Sequence, residues 1–388
     1  MTRRLDADIA VVGGGVVGAC AALILARAGQ RVALVEAHPP AAWREDAPDL
    51  RVYALAPDAI ALLDELGAWP RIAAARAQPF SDMRVWDAAG GGELHFSAMQ
   101  AGRASLGHIV EQGLVVDRLW ALLAHEPRVH MHCPDKVAGI EQGADGVVVE
   151  LASGTRLRAG WVVAADGAVS AVRRLTGIGT DDHDYGQRGL VAYVRTQRPH
   201  ENTAWQRFLP TGPLAFLPCA DGRCSIVWTV PDAEAARLLA LDDAAFAREL
   251  ERAFDARLGA IVEVSERRAF PLKRVLARDY VVGRVLLAGD AAHAVHPLAG
   301  QGVNLGLRDV AALRALWAGG RAPSADRVRR WARERRSDNA VAAHAFEAIN
   351  QAFSNDALLP TLLRGPALGL AGKVAPLGGF FLRRAMGL

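Results

Sequence analysis

Cysteine is scarce in this 388-residue chain. Cys20, Cys133, Cys219 and Cys224 are scattered, and the closest pair is spaced C-x4-C. That spacing is neither a redox pair nor half of a zinc site, so the sequence predicts reduced thiols in a cytoplasmic protein. An excess of charge of one sign is missing too. The 45 basic and 42 acidic side chains leave a net charge of +3, which removes any general attraction for nucleic acid. A clean secretion signal is also lacking. The run IAVVGGGVVGACAALILA (9–26) is apolar, but Asp6 and Asp8 interrupt the segment before it, and three successive glycines weaken a continuous helix. The same run is marginal as a membrane span.

What the chain does have is 51% hydrophobic content, enough for a large core and two interleaved domains. DIAVVGGG reads as a buried strand, Asp8 to Val12, entering a glycine turn. VVGACAALILARAG reads as a helix ending at Gly29, and RVALVEA as a second strand. In this β-α-β unit Gly13, Gly15 and Gly18 occupy the G-x-G-x-x-G positions. They permit a tight turn, a close approach of backbone to a pyrophosphate, and close packing of helix on strand. The helix N-terminus offers free N–H groups to phosphate. Glu36 ends the second strand, where an acid accepts ribose hydroxyls and disfavours a 2′-phosphate. The nucleotide is therefore FAD or NAD.

Further along, Arg51 precedes a helix started by Pro57 and ended at Gly67; phosphate contact and a solvated surface charge are both open for it. Arg118 in VVDRLWALLA faces phosphate or water. WVVAADGAVSAVRR reads as a strand, an Asp166-Gly167 turn and a helix carrying Arg173 and Arg174. DMRVWDAAGGGELHF reads as a hairpin. GLVAYVRT, TAWQRFL, PLAFLPC and CSIVWTV read as four strands of an antiparallel sheet, followed by helices at 232–240 and 242–257. Trp205, Phe216 and Trp228 on that sheet are either ordinary core or the lining of a pocket for a flat substrate. The Arg-rich run RVRRWARERR (327–336) reads as a solvated helix face.

GDAAHAVHPLAGQGVNLG (289–306) spaces Asp290, His293 and His296 three residues apart, which by itself would suit a metal. No Cys or carboxylate cluster elsewhere completes a ligand set, so no metal is expected. Asp290 ends the strand VLLAG and can accept hydrogen bonds from a sugar-like chain. Pro297, Gly300 and Gly302 let backbone approach a flat ring, and a helix of roughly twenty residues starting at Gly300 turns its N–H groups toward it. A reduced isoalloxazine is such a ring.

These motifs together resemble the class A FAD-dependent aromatic hydroxylases: the glycine fingerprint with Glu36, the Asp-Gly of AADGAVSAVR, and GDAAHAVHPLAGQGVNLGLRD. VWD (85–87), LGHIVE (106–111), AFLP (215–218), SIVW (225–228) and HPLAGQGVNLG are similar to the ubiquinone-biosynthesis hydroxylases, the UbiH/UbiF/VisC group, over about residues 5–345 and the closing AMGL. The resemblance implies an α/β fold: a Rossmann-type FAD-binding domain (1–78, 98–180 and 274–345), an interleaved antiparallel-sheet substrate domain (79–97 and 181–273) of the p-hydroxybenzoate hydroxylase type, and a C-terminal helical tail (346–388). It implies that Gly13, Gly15, Gly18 and Glu36 hold the adenosine and pyrophosphate of FAD, and that Arg51 and Arg118 contact FAD. By the same resemblance Asp166 would sit in the motif linked to both flavin and nicotinamide, and Asp290 would bind the ribityl chain. Pro297, Gly300, Gln301, Gly302, Val303 and Asn304 border the ring, and His296 is a weak candidate for proton handling. Ala164, Gln112 and Tyr53 depart from the residues common at their positions.

The activity implied is a monooxygenase reaction. NAD(P)H, bound transiently, reduces FAD; O2 forms a flavin hydroperoxide; one hydroxyl is added to the ring of a prenylated phenol. The tail ALLPTLLRGPALGLAGKVAPLGGFFLRRAMGL (357–388) carries Arg364, Lys373, Arg383 and Arg384 and no acid. It suits an anionic membrane surface, a partner assembly, or packing on its own domain. Two other readings stay open: a hydroxylase of a soluble aromatic compound, and a non-catalytic member that binds FAD or lipid within a biosynthetic assembly.

Overall fold

A computed structural model of the chain describes residues 5–88, 92–295 and 302–353. The chain starts as β1 (Ala7–Val12), α1 (Val16–Arg27) and β2 (Val32–Val35). Every residue of β2 and all but one of β1 are buried, which is why these runs lack polar alternation: both faces of the sheet are covered. After a long loop come β3 (Val52–Leu55), α2 (Pro57–Glu65), α3 (Trp69–Arg76), β4 (Gln78–Phe80), β5 (Asp82–Asp87) and β6 (Glu93–Ser97). Pro57 presets the first turn of α2, and Gly67, at φ +71°, lets the chain turn away after it. Then follow β7 (Gly107–Glu111), α4 (Gln112–Leu123), β8 (Val129–His132), β9 (Val137–Gln142), β10 (Val147–Leu151), β11 (Arg156–Ala164) and α5 (Ala171–Leu175).

The second half contains β12 (Thr180–Thr196), β13 (Thr203–Leu209), β14 (Gly212–Pro218), β15 (Cys224–Pro231), α6 (Asp232–Ala240), α7 (Asp243–Ala253), β16 (Ile261–Val264) and β17 (Arg268–Ala277). β18 (Val281–Val282), β19 (Val285–Leu287), β20 (His293–Ala294), α8 (Gly302–Leu316) and α9 (Ala325–Phe353) complete it.

Three sheets result. In the first, β19, β11, β1, β2 and β8 lie parallel in that order, with β18 antiparallel at one edge and the β9–β10 hairpin joined to β11. In the second, the order is β20-β17-β12-β15-β14-β13-β5-β6, antiparallel except where β13 meets β5, with β16 against β12. A small sheet, β3-β7-β4, lies between them: Val52, Phe80 and Ile109 from it pack with Ala204, Leu217 and Val227 of the second sheet. All four cysteines are unpaired.

Several boundaries differ from the sequence reading. β12 begins at Thr180, well before GLVAYVRT, because its first half is a polar, mostly exposed stretch paired with β17 and shows no apolar alternation. β17 runs to Ala277, past residue 273, and β20 also joins the second sheet. α8 is 15 residues long rather than about twenty, and α9 continues through residue 346 to Phe353.

Candidate functional site

Four neighbouring parallel strands end level with one another. Val12 of β1 is paired with Val35 of β2 and Ala164 of β11, and Ala164 is paired with Leu287 of β19. Gly13 therefore follows β1, Glu36 follows β2, Ala165-Asp166 follow β11, and Gly289-Asp290 follow β19 after one residue. Backbone bonds extend this row past the strands: Gly13 N–H donates to Val35 O at 2.8 Å, Ala165 N–H to Val12 O at 2.7 Å, and Ala288 N–H to Ala164 O at 2.9 Å. Ligands of open α/β sheets bind outside the carboxyl ends of such strands.

The three fingerprint glycines do different things. At Gly13 (φ +101°) a Cβ would collide with the Ala165 carbonyl, and at Gly18 a Cβ would land on the Gly13 carbonyl oxygen. Those two are needed by the protein itself. Gly15, the N-cap of α1, has no side-chain cap and would direct a Cβ into open space, with nothing within 4 Å. The first turn of a helix leaves its N–H groups without intrahelical partners. The residues fit a dinucleotide: a turn, a bare helix N-terminus and an empty cradle beside Gly15.

Glu36 accepts from Gly14 N–H at 2.5 Å and from His38 N–H at 3.0 Å, which holds its carboxylate beside the glycine turn. Asp166 Oδ2 accepts from Val172 N–H at 3.1 Å, and its Oδ1 is buried with no partner among the described residues. A buried carboxylate oxygen without a partner among these residues is an acceptor open to a ligand. Asp290 has an exposed surface, yet protein surrounds it; that crowding raises its carboxyl pKa, against a smaller pull from His293. Burial, then the Asp290 charge, raises the phenol pKa of Tyr53 on β3, so Tyr53 and Asp290 are close.

Arg51 is exposed, its guanidinium 5.5 Å from the Phe270 ring, and Asp49 Oδ1 accepts its backbone N–H at 3.0 Å. Arg118 pairs with Asp117 and lies 5.4 Å above the Trp43 ring. Gly302 opens α8, where a Cβ would meet nothing within 4 Å among the described residues, and Val303 is buried. Asn304 is fully buried with both ends of its amide engaged: Oδ1 accepts from Ala56 N–H and Nδ2 donates to Ala54 O, each at 2.9 Å. It fastens α8 to the segment joining β3 and α2, so its side chain borders a ring only through the backbone it positions. His296, Pro297, Gly300 and Gln301 lie outside the described residues.

Residues 6–337 match the family model described as an FAD binding domain. The chain is 36% identical to the ubiquinone hydroxylase UbiL of Rhodospirillum rubrum, over 98% of this chain and 90% of that one. It is 35% identical to the 3-demethoxyubiquinol 3-hydroxylase of Escherichia coli, over 98% of both. The chain belongs to the FAD-dependent ubiquinone-biosynthesis hydroxylases. Its fold is also that of the p-nitrophenol 4-monooxygenase PnpA of Pseudomonas putida, with a TM-score of 0.79 at 24% identity over 97% of this chain and 96% of that one. It is thus a flavoprotein monooxygenase whose cofactor is FAD.

For a hydroxylase of this family the position of the aromatic side chains matters, and of the two readings the sequence left open their surroundings match core packing. Trp205, Phe216 and Trp228 share one face of the second sheet and pack under α6 and α7 with Trp86, Phe246 and Phe254. Phe216 and Phe254 stack at 3.7 Å between centroids. The opposite face, carrying Ala204, Ala215, Leu217 and Val227, meets the small sheet. Strand alternation identifies which residues share a face and leaves open which face is the core.

The hydroxylase site also uses residues for which the sequence suggested no role. Trp120 of α4 donates from Nε1 to Gly14 O at 2.7 Å, closing the glycine turn from the side. Glu111, the last residue of LGHIVE, is buried. Its carboxylate accepts from Trp43 Nε1 at 3.1 Å, Asp49 N–H at 2.9 Å and Arg76 at 3.0 Å, so it holds the loop that leads to Arg51. Arg173 is buried and donates to Ala168 O and Ala291 O, both at 2.7 Å, tying the loop after Asp166 to the turn after Asp290. In the Arg-rich run, Arg335 is buried rather than solvated. The only signal for Arg335 was helical phase, since it follows Val328, Trp331 and Ala332 onto the inner face.

Proposed function

We propose that this hydroxylase adds one hydroxyl to the aromatic ring of a prenylated phenol intermediate of ubiquinone biosynthesis, using O2 and NAD(P)H as a transient donor. The observation that carries this reading is the level row of Gly13, Glu36, Asp166 and Asp290, in a chain that aligns along nearly its whole length with hydroxylases of that pathway. Bound there, FAD supplies electron transfer and oxygen activation. The chain's part is to bind, to orient and to exclude water. The N–H groups after Gly15 take the pyrophosphate, Glu36 the adenosine ribose, and Asp290 the ribityl hydroxyls. Asp166 offers its free Oδ1 to cofactor or nicotinamide, and Arg51 and Arg118 add positive charge near the phosphates. The ring-binding stretch is assigned to Pro297, Gly300 to Gly302 and the backbone at Val303 and Asn304, with His296 beside it.

The substrate ring is assigned to the crevice between the small sheet and the second sheet. Its lining mixes the apolar Val52, Ile109 and Val110 and the Tyr193 ring with the charged Arg76, Glu111, Asp221 and Arg223. That crevice takes the role the sequence reading had offered to Trp205, Phe216 and Trp228.

No helix among the described residues is long and apolar enough to cross a membrane. A prenylated substrate is met at a membrane surface, and α9 exposes Arg327, Arg329, Arg330, Arg333 and Arg336 ahead of a terminal segment with four bases and no acid. We assign peripheral contact with anionic lipid to this end of the chain.

Deleting the coding sequence and analysing quinone extracts tests the substrate. Accumulation of a precursor lacking one hydroxyl is expected, and its structure names the ring carbon. Unchanged quinone in a strain with no redundant hydroxylase sinks the proposal.

A further inference from the structure

Beneath the Asp290 turn lies a buried polar cluster that none of the expected site residues uses. Asp309, in the middle of α8, has no exposed surface and four donors around its carboxylate. Oδ2 accepts from Gly289 N–H at 3.0 Å and from His293 Nε2 at 2.5 Å. Oδ1 accepts from Arg335 Nε at 2.8 Å and Asn339 Nδ2 at 3.0 Å, both from α9. Arg335 in turn donates to Asn339 Oδ1 at 3.0 Å, and Asn339 reaches Tyr280 Oη at 3.4 Å. The Tyr280 ring stacks with His293 at 6.1 Å between centroids. One oxygen of Asp309 therefore grips the turn on both sides of Asp290, and the other is gripped by the C-terminal helix.

The turn needs such a hold. Gly289 has φ +59° and packs directly on Val17 of α1, which lies within the glycine fingerprint; Gly306 of α8 packs on the same valine and on Gly289. These contacts fix where the turn sits, whereas the two bonds to Asp309 fix its rotation.

We propose that Asp309 is a positioning residue for FAD: with Arg335 behind it, it orients the Gly289–His293 turn so that Asp290 presents its carboxylate to the cofactor's ribityl hydroxyls. This rests on the reading of Asp290 as the ribityl ligand. Asp309 touches no cofactor atom itself. Its effect passes through Asp290, and that separates it from a residue that merely supports the fold.

The test is a double-mutant cycle read as FAD affinity of the apoprotein, by quenching of FAD fluorescence, with thermal unfolding of each apoprotein in parallel. Asp290→Ala and Asp309→Asn are each expected to weaken FAD binding about tenfold or more, the scale of losing a hydrogen bond to a charged group. Asp309→Asn placed in the Asp290→Ala background is expected to weaken it no further. Arg335→Lys keeps a charge beside Asp309 while losing the bond to Asn339. It is the gentler arm should Asp309→Asn fail to fold, and it is expected to weaken binding in the native background only. If Asp309→Asn or Arg335→Lys lowers affinity by the same factor in both backgrounds, the residue is a general structural support and the inference is overturned. If Asp290→Ala leaves affinity unchanged, the ribityl assignment itself is wrong, and the inference goes with it.

Discussion

Glycines 15 and 18 separate two requirements that one motif combines. A methyl at Gly18 would meet the Gly13 carbonyl, so Gly18→Ala must push α1 off β1. The expected cost is about 1–3 kcal/mol of stability, with loss of FAD as a consequence. Gly15 has an ordinary φ of −67° and open space where its Cβ would be. Gly15→Ala should therefore leave the melting temperature of the apoprotein within about 1 °C of the parent, a change of under about 1 kcal/mol, while FAD binding falls at least tenfold. Thermal melts of the two apoproteins with FAD titrations check this. Equal destabilisation by both substitutions would show that Gly15 serves the fold and not the ligand.

Among elements, the loop from residue 43 to 51 is unusual in having its anchors at a distance. Glu111 at the end of β7 binds the loop at Trp43 and Asp49. Asp49 Oδ2 accepts from Gly113 N–H of α4 at 3.1 Å, and the guanidinium groups of Arg76 and Arg118 lie 5.3 and 5.4 Å from the Trp43 ring. Glu111→Ala would leave Arg76 without its buried partner and two further donors unpaired. A loss of about 3 kcal/mol is expected, with faster proteolytic cleavage between residues 44 and 50 than elsewhere. Peptide mapping of a limited digest reads this directly; uniform cleavage along the chain would contradict it.

The same elements show what a sequence can convey. β1, α1 and β2 were legible because burial on both faces writes continuous apolar runs, and the glycine spacing belongs to one local turn. The first half of β12 was illegible: its pairing with β17 is made by backbone, and its side chains are polar. The aromatic strands were recognisable as strands, but their core face was set by α6 and α7, which come later in the chain. Asp309 and Glu111 close two quoted motifs, yet their roles were not legible there, since their partners lie 16 to 68 residues away. Arg335 was hidden among arginines that do face water.

At the scale of the whole molecule, one hydrogen bond joins the second sheet to the FAD-side loop: Tyr193 of β12 donates to Asp49 O at 2.7 Å. The crevice assigned to the substrate lies along this junction, so the two parts of the chain that must cooperate on a ring are held together beside it. α9 carries a set of exposed arginines. The full-length protein is expected to sediment with vesicles containing anionic lipid far more than with neutral phosphatidylcholine vesicles, and to release from them as salt rises past physiological strength. Equal binding to both kinds of vesicle, or none to either, would remove the electrostatic account of that surface.

The level ends of β19, β11, β1 and β2 have a metric consequence. Adjacent strands lie about 4.8 Å apart, so the four positions they carry are spread over roughly 14 Å. A sheet is stiff along that direction, and it serves the site as a ruler. A compact ligand can reach one or two graduations; only an extended one reaches them all. Half of the cofactor, whether the nucleotide or the flavin portion, reads only its own end of the scale, so the hold on FAD depends on its full length.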